Sequence, residues 1–265
     1  MDKIKKLKEI LKKMDSAIVA FSGGMDSSFL LKIASDVLPK DRLLAVTAIS
    51  DTYTRRELEQ AKIFVKGLGV RHRLIFTDEM ENPFFVNNPP NRCYYCKKEL
   101  FGKLREIARD NKINFIIDGS NMDDLNDYRP GSRAKKEFGI RSPLEEAMIT
   151  KKDIMRYSKK IGLDIWRLPT MPCLASRIPY GEKITRKNLR MIEKAEDFIM
   201  RLGIKLVRVR LHRDIARIEV DKKDIKIFYN RVFCDKIIKY FKRLGFNYIT
   251  LDLEGYRTGS LNEVL

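Results

Sequence analysis

A short run of small and apolar residues, Ser16 to Phe21 (SAIVAF), leads straight into Ser22-Gly23-Gly24-Met25-Asp26-Ser27-Ser28. A helical pattern carrying Phe29, Leu30, Leu31, Ile33 and Ala34 follows, and Pro39 ends it. A buried strand that turns through two glycines into a helix is the opening of a βαβ unit, and such units assemble into a parallel sheet. The glycines carry no Cβ, so the backbone at Gly23 and Gly24 can come close to a bound group. Successive N–H groups in such a turn form an anion nest. The helix start adds free donors and about half a positive charge. The hydroxyls of Ser22, Ser27 and Ser28 can reach the same oxygens, so the segment reads as a phosphate cradle. Asp26 fits beside polyphosphate as a Mg²⁺ ligand or as a helix cap. The GK[ST] ending of a Walker A loop is absent, and so is G-x-G-x-x-G.

The pattern repeats along the first half of the chain. Leu43 to Ile49 predicts a second strand, Thr54 to Leu68 a helix closed by Gly69, and Arg71 to Phe76 a third strand. Lys97 to Asn111 predicts a helix with Leu100, Leu104, Ile107 and Ala108 on one face, and Asn114 to Ile117 a fourth strand. Strands alternating with helices predict an α/β fold, a Rossmann-like parallel sheet covered on both faces. Ligands bind such sheets at the carboxyl ends of the strands, where the loops at 22–28 and 118–121 fall. The organisation changes near 145–180. A helix at Thr150–Lys160 is followed by a loop punctuated by Pro169, Pro172 and Pro179. Beyond it come a helix (Thr185–Leu202), two strands (Lys205–Leu211 and Ala216–Val220), a helix near 222–243 and a last strand at Tyr248–Leu253, which predict a smaller α+β domain. The division is therefore residues 1–150 and 151–265, with a leading amphipathic helix on Ile4, Leu7, Leu11 and Met14.

Charge and cysteine content limit the function classes. The 54 Lys and Arg against 36 Asp and Glu give a formal charge of +18, which favours anionic partners: nucleotides, phosphorylated metabolites or RNA. No apolar run approaches the ~18 residues that span a membrane, and the basic N-terminus lacks a signal-peptide cleavage pattern. A cytoplasmic protein is expected, and its four cysteines point to metal or catalytic use rather than a disulfide framework. Cys93 and Cys96 form a CxxC at the approach to the helix expected from Lys97. By residue type, the pair suits half a zinc site, a redox pair, buried structural thiols or, with Cys173 as third ligand, a [4Fe–4S] cluster with one iron left open. Arg177 and Lys183 beside Cys173 favour its thiolate, whereas Cys234, in Val232-Phe233-Cys234, reads as core.

Ser22 to Ser28 resembles the PP-loop of the N-type ATP pyrophosphatases, whose pattern is SGGxDS. More specifically, the segments SGGMDSS, NRCYYCKKELF, DGSNMDDLNDYRPG, SPLEEA, PCLASRIPYGEKIT, RVRLH, ARIE and LDLEGYRTGSLNE resemble the LarE family of ATP-dependent sulfur transferases in nickel-pincer cofactor synthesis. The likeness runs from about residue 16 to the C-terminus. It implies that ATP, with Mg²⁺ on Asp26, adenylylates a carboxylate of a pyridinium mononucleotide and releases pyrophosphate. Sulfur then displaces AMP to give a thiocarboxylate. The sulfur comes either from Cys173 itself or from sulfide on a [4Fe–4S] cluster held by three cysteines, and with Cys93, Cys96 and Cys173 this chain resembles the cluster branch. The resemblance also assigns Ser22, Gly23, Gly24, Asp26, Ser27, Ser28, Thr47, Asp118 and Gly119 to ATP. Ser176, Arg177, Glu196, Arg208 and Arg210 go to the substrate, the arginines of the RVR segment to its phosphate. A homo-oligomer is expected, with no membrane or nucleic-acid partner and a sulfide donor left open. A [4Fe–4S]-dependent tRNA thiolase would also combine a PP-loop with three cysteines, and a nucleotide- or cluster-binding sensor would keep the loop without turnover. An amidating synthetase of the GMP or NAD type would leave the cysteines unexplained.

Overall fold

A computed structural model of the chain describes residues 2–126, 130–167, 173–257 and 259–264. Residues 127–129 of the DGSNMDDLNDYRPG segment, and Pro169, Met171 and Pro172 of the proline-punctuated loop, lie outside the described residues. In chain order the elements begin α1 (Lys3–Lys12), β1 (Ala17–Ala20), α2 (Met25–Ser35), β2 (Leu43–Ile49), α3 (Arg55–Leu68) and β3 (Arg71–Phe76). Next come α4 (Pro83–Val86), α5 (Arg92–Asp110), β4 (Phe115–Ile117), α6 (Gly131–Phe138), α7 (Pro143–Glu146) and α8 (Lys151–Lys160). The chain ends with α9 (Arg186–Arg201), β5 (Val207–His212), β6 (Ile215–Val220), α10 (Arg231–Leu244) and β7 (Tyr248–Leu251). Among the described residues, no helix is long and apolar enough to cross a membrane.

The chain forms two compact units, Met1–Glu79 with Asn91–Met171 and Met80–Pro90 with Pro172–Leu265. The first is built on a parallel sheet of order β3-β2-β1-β4. Successive strand residues feed opposite faces, as the pleat requires. Ala17, Val19, Leu43 and Ala45 enter a core with Leu7, Leu11, Phe29 and Leu30, while Ile18, Leu44 and Val46 enter a second with Phe101, Leu104 and Ile107. The expected coverage of both faces is therefore present. The termini of α3 follow from its sequence: Thr54 and Glu57 form a reciprocal capping box, and Gly69 closes the helix at φ +63°. Helix α8, assigned to the second domain from sequence, belongs to the first unit. It packs against α2, and its Asp153 and Tyr157 bond to Lys3 and Asp2 at 2.6 and 2.9 Å.

The second unit has a three-stranded sheet, β5-β6-β7, with β5 antiparallel and β7 parallel to β6. Helix α9 packs on β5 through Leu189, Ile192, Ala195 and Ile199, all buried. The helix expected near 222–243 is two elements, a 3-10 segment at Lys222–Tyr229 and α10. Asn230 separates them by accepting a hydrogen bond from Phe233 N with its side chain, as an N-cap does. The start expected for α5 also shifts, from Lys97 to Arg92, because the chain meets no helix breaker until Pro89 and Pro90. The CxxC consequently lies within the helix and not ahead of it.

Candidate active site

Strand β1 delivers the glycine turn to the carboxyl edge of the first sheet. Gly23 has φ +73°, and Gly24 is the N-cap of α2 with no side-chain cap bond. No capping side chain consumes the donors at the start of α2, a condition for anion binding. Hydroxyls brace the turn. Ser22 Oγ and Ser27 Oγ are 3.1 Å apart, and Ser27 Oγ donates to Gly24 O at 3.1 Å. Ser28 Oγ is buried without a hydrogen-bond partner among the described residues. Asp26 lies in the first turn of α2, a carboxylate among hydroxyls and therefore a hard donor set suited to Mg²⁺.

The loop after β4 closes against this turn. A Cβ added to Gly119 would lie 2.8 Å from Ser27 N, 3.0 Å from Ser27 Cα and 3.1 Å from the Asp26 carbonyl carbon. The two polar loops expected to share ATP are thus in backbone contact, and only glycine permits it. Asp118, by contrast, turns inward. Its carboxylate accepts from Ser120 Oγ at 2.8 Å and Ser142 Oγ at 2.7 Å, with Lys135 Nζ 3.9 Å away. Thr47 is fully buried; its hydroxyl donates to Phe21 O at 2.9 Å and lies 2.9 Å from His72 Nε2. Both side chains therefore support the loops from within.

Cys93 and Cys96 lie within the first five residues of α5, three residues apart and hence on one face. Cys93 is exposed, Cys96 half-buried and Cys173 exposed, and none of the four cysteines forms a disulfide. Among the described residues, no three His, Cys, Asp or Glu side chains gather into a metal-holding group. Two of the three expected cluster ligands are therefore aligned on one face of α5.

The substrate residues expected in the second unit converge. Cys173 precedes a 3-10 turn at Leu174–Arg177, and its carbonyl accepts from Ser176 N at 2.9 Å and Arg177 Nη1 at 3.1 Å. Arg177 bonds both carboxylate oxygens of Glu196, at 2.9 and 3.0 Å, and Glu196 also accepts from Val209 N at 2.9 Å. Arg210 bonds both oxygens of Glu219, at 2.5 and 3.1 Å, and donates to Ser176 O at 2.8 Å. Arg208 faces Glu219 in the β5–β6 register and lies over the Tyr256 ring, 5.4 Å from its centroid. Among the described residues of this unit, the buried charges are three arginines (Arg177, Arg208, Arg210) and two glutamates (Glu196, Glu219). Burial, and then the charge of Arg177, pushes the Arg208 guanidinium below its ordinary pKa. A buried surplus of positive charge is relieved by an anion.

Three residues that sequence reasoning did not single out hold these loops. Tyr53 donates to Ser22 O at 2.8 Å, and Glu79 accepts from Thr52 Oγ1 at 2.8 Å. Asn88, fully buried at φ +55°, donates through Nδ2 to the carbonyls of Ile178, Pro179 and Glu182 at 3.2, 2.7 and 3.0 Å. It fixes the loop that follows Arg177.

A family model described as NAD synthase matches residues 2–106. The chain is 39% identical over 255 residues to a pyridinium-3,5-bisthiocarboxylic acid mononucleotide synthase of Lactiplantibacillus plantarum, spanning 96% of this chain and 92% of that protein. It is 44% identical over 263 residues to an uncharacterized protein of Synechocystis, spanning 99% and 98% of the two chains. An NH3-dependent NAD+ synthetase of Chlorobaculum tepidum is 28% identical over 74 residues, 28% of this chain and 27% of that one.

Proposed function

The chain belongs to the LarE family, and from that membership we propose that it is an ATP-dependent sulfur transferase that converts a carboxylate of a pyridinium mononucleotide to a thiocarboxylate. The observation that carries this reading is the close backbone approach of Gly119 to the start of α2, whose N-cap Gly24 makes no side-chain cap bond. The cradle holds the triphosphate by backbone donors and serine hydroxyls. Asp26 is the residue that would hold Mg²⁺, which when bound neutralises phosphate charge.

A carboxylate is a poor electrophile. In the proposed reaction its oxygen attacks the α-phosphorus, the bond to the bridging oxygen breaks, and pyrophosphate leaves with that electron pair. The acyl adenylate carries AMP as a good leaving group, and a sulfur nucleophile displaces it. In the second unit, the buried surplus of guanidinium charge around Arg208 supports phosphate binding on the mononucleotide. Ser176, Arg177 and Glu196 hold the turn that follows Cys173.

For the sulfur we infer that Cys173 is required, either giving up its own sulfur or joining Cys93 and Cys96 around a [4Fe–4S] cluster. The adenylylation step uses neither. Cys173→Ala is therefore expected to keep acceptor-dependent pyrophosphate release within about threefold of wild type while thiocarboxylate formation is lost. Iron measured on anaerobically purified wild type and variant separates the two sources. A variant that forms thiocarboxylate at the wild-type rate removes Cys173 from the reaction.

A further inference from the structure

The glycine turn is held from outside by a hydroxyl that the reaction as described does not use. Tyr53 Oη donates to Ser22 O at 2.8 Å. The peptide between Ser22 and Gly23 is trans and planar, so this carbonyl and the Gly23 N–H point in opposite directions. Holding the carbonyl therefore sets the direction of the N–H. The Gly23 N–H makes no hydrogen bond among the described residues. The hydroxyl also lies close over the glycine: a Cβ at Gly23 would be 3.4 Å from Tyr53 Oη and 3.2 Å from Ala61 Cβ.

Tyr53 is itself anchored. Its N–H bonds to Ser50 O at 3.2 Å, closing the turn after β2. Thr52 Oγ1 donates to the buried Glu79 carboxylate at 2.8 Å and lies 2.9 Å from Ser50 Oγ. Thr52 has a single hydroxyl hydrogen and gives it to Glu79 in that bond, so Ser50 Oγ donates to Thr52 Oγ1. The turn carrying Tyr53 is thus pinned to a buried carboxyl group, and burial raises the phenol pKa, so the hydroxyl stays a donor.

We propose that Tyr53 is a positioning residue for the phosphate cradle, fixing the Ser22–Gly23 peptide so that the Gly23 N–H is presented to the nucleotide's phosphates. This rests on the reading of the loop as an ATP site. Tyr53→Phe removes the hydroxyl and keeps the ring. ATP affinity, measured by calorimetry, is expected to fall about tenfold or more, the effect of one lost charge-assisted hydrogen bond. Adenosine binding, measured by saturation-transfer NMR, should be unchanged, and so should the melting temperature of the nucleotide-free protein. Unchanged ATP affinity would overturn the proposal, as would equal losses for ATP and adenosine, which mark a general loosening. A wild-type protein that binds ATP yet releases no pyrophosphate with the mononucleotide would sink the functional reading alone, because the two binding measurements still decide the role of Tyr53.

Discussion

Gly119→Ala is expected to lower kcat/KM for ATP-dependent pyrophosphate release by about a hundredfold or more. The new Cβ would stand 2.8 Å from Ser27 N and 3.0 Å from Ser27 Cα, and both are backbone atoms that cannot swing aside. Either α2 backs away from the loop or the loop withdraws from α2. A displacement approaching an ångström separates the donors at the start of α2 from the second loop, and misplacement on that scale costs about a hundredfold in catalysis. Overpacking of this kind also costs about 1–3 kcal/mol of stability. The folded fraction is therefore followed by circular dichroism while turnover is measured. An alanine variant within about threefold of wild-type turnover would mean that the contact between the two loops has no part in catalysis.

The second large effect lies in the other unit. Glu196→Ala removes the carboxylate that bridges Arg177 at two points and accepts from Val209 N. Arg177 is 3% exposed and stands close enough to Arg208 to depress its pKa, so the deletion strands one buried cation beside another. Breaking a buried pair from one side costs about 3–5 kcal/mol. Urea unfolding should show that loss. Replacing both partners with apolar residues of similar size, Arg177→Met with Glu196→Leu, should recover a large part of it. A single variant as stable as wild type would show that the bridge is not desolvated.

The parts of this fold that were legible in the sequence are those governed by neighbours in the chain. The ends of α3 follow from Thr54, Glu57 and Gly69, residues within one element. The glycine turn is readable because strand, turn and helix adjoin, and the alternation of Arg208 and Arg210 places them on one face of β5. Their burial was not legible, because it depends on Glu219 across the β5–β6 register and on Glu196 in α9. Asn88 was missed for the same reason. It reads as an ordinary loop residue until Ile178, Pro179 and Glu182 surround its amide. Tyr53 carries no motif, and its partner Ser22 belongs to a loop that precedes it by a strand and a helix. Asp118 and Thr47 sit at the strand ends where ligands are expected, yet their side chains point into the supporting network, a distinction that position alone does not make.

The central claim is that ATP is cleaved between its α- and β-phosphates to activate a carboxylate. Phosphorus NMR of the reaction with ATP, Mg²⁺ and the pyridinium dicarboxylate mononucleotide tests it directly. The account predicts AMP and pyrophosphate in equal amounts, dependent on the acceptor. ADP with inorganic phosphate would contradict it.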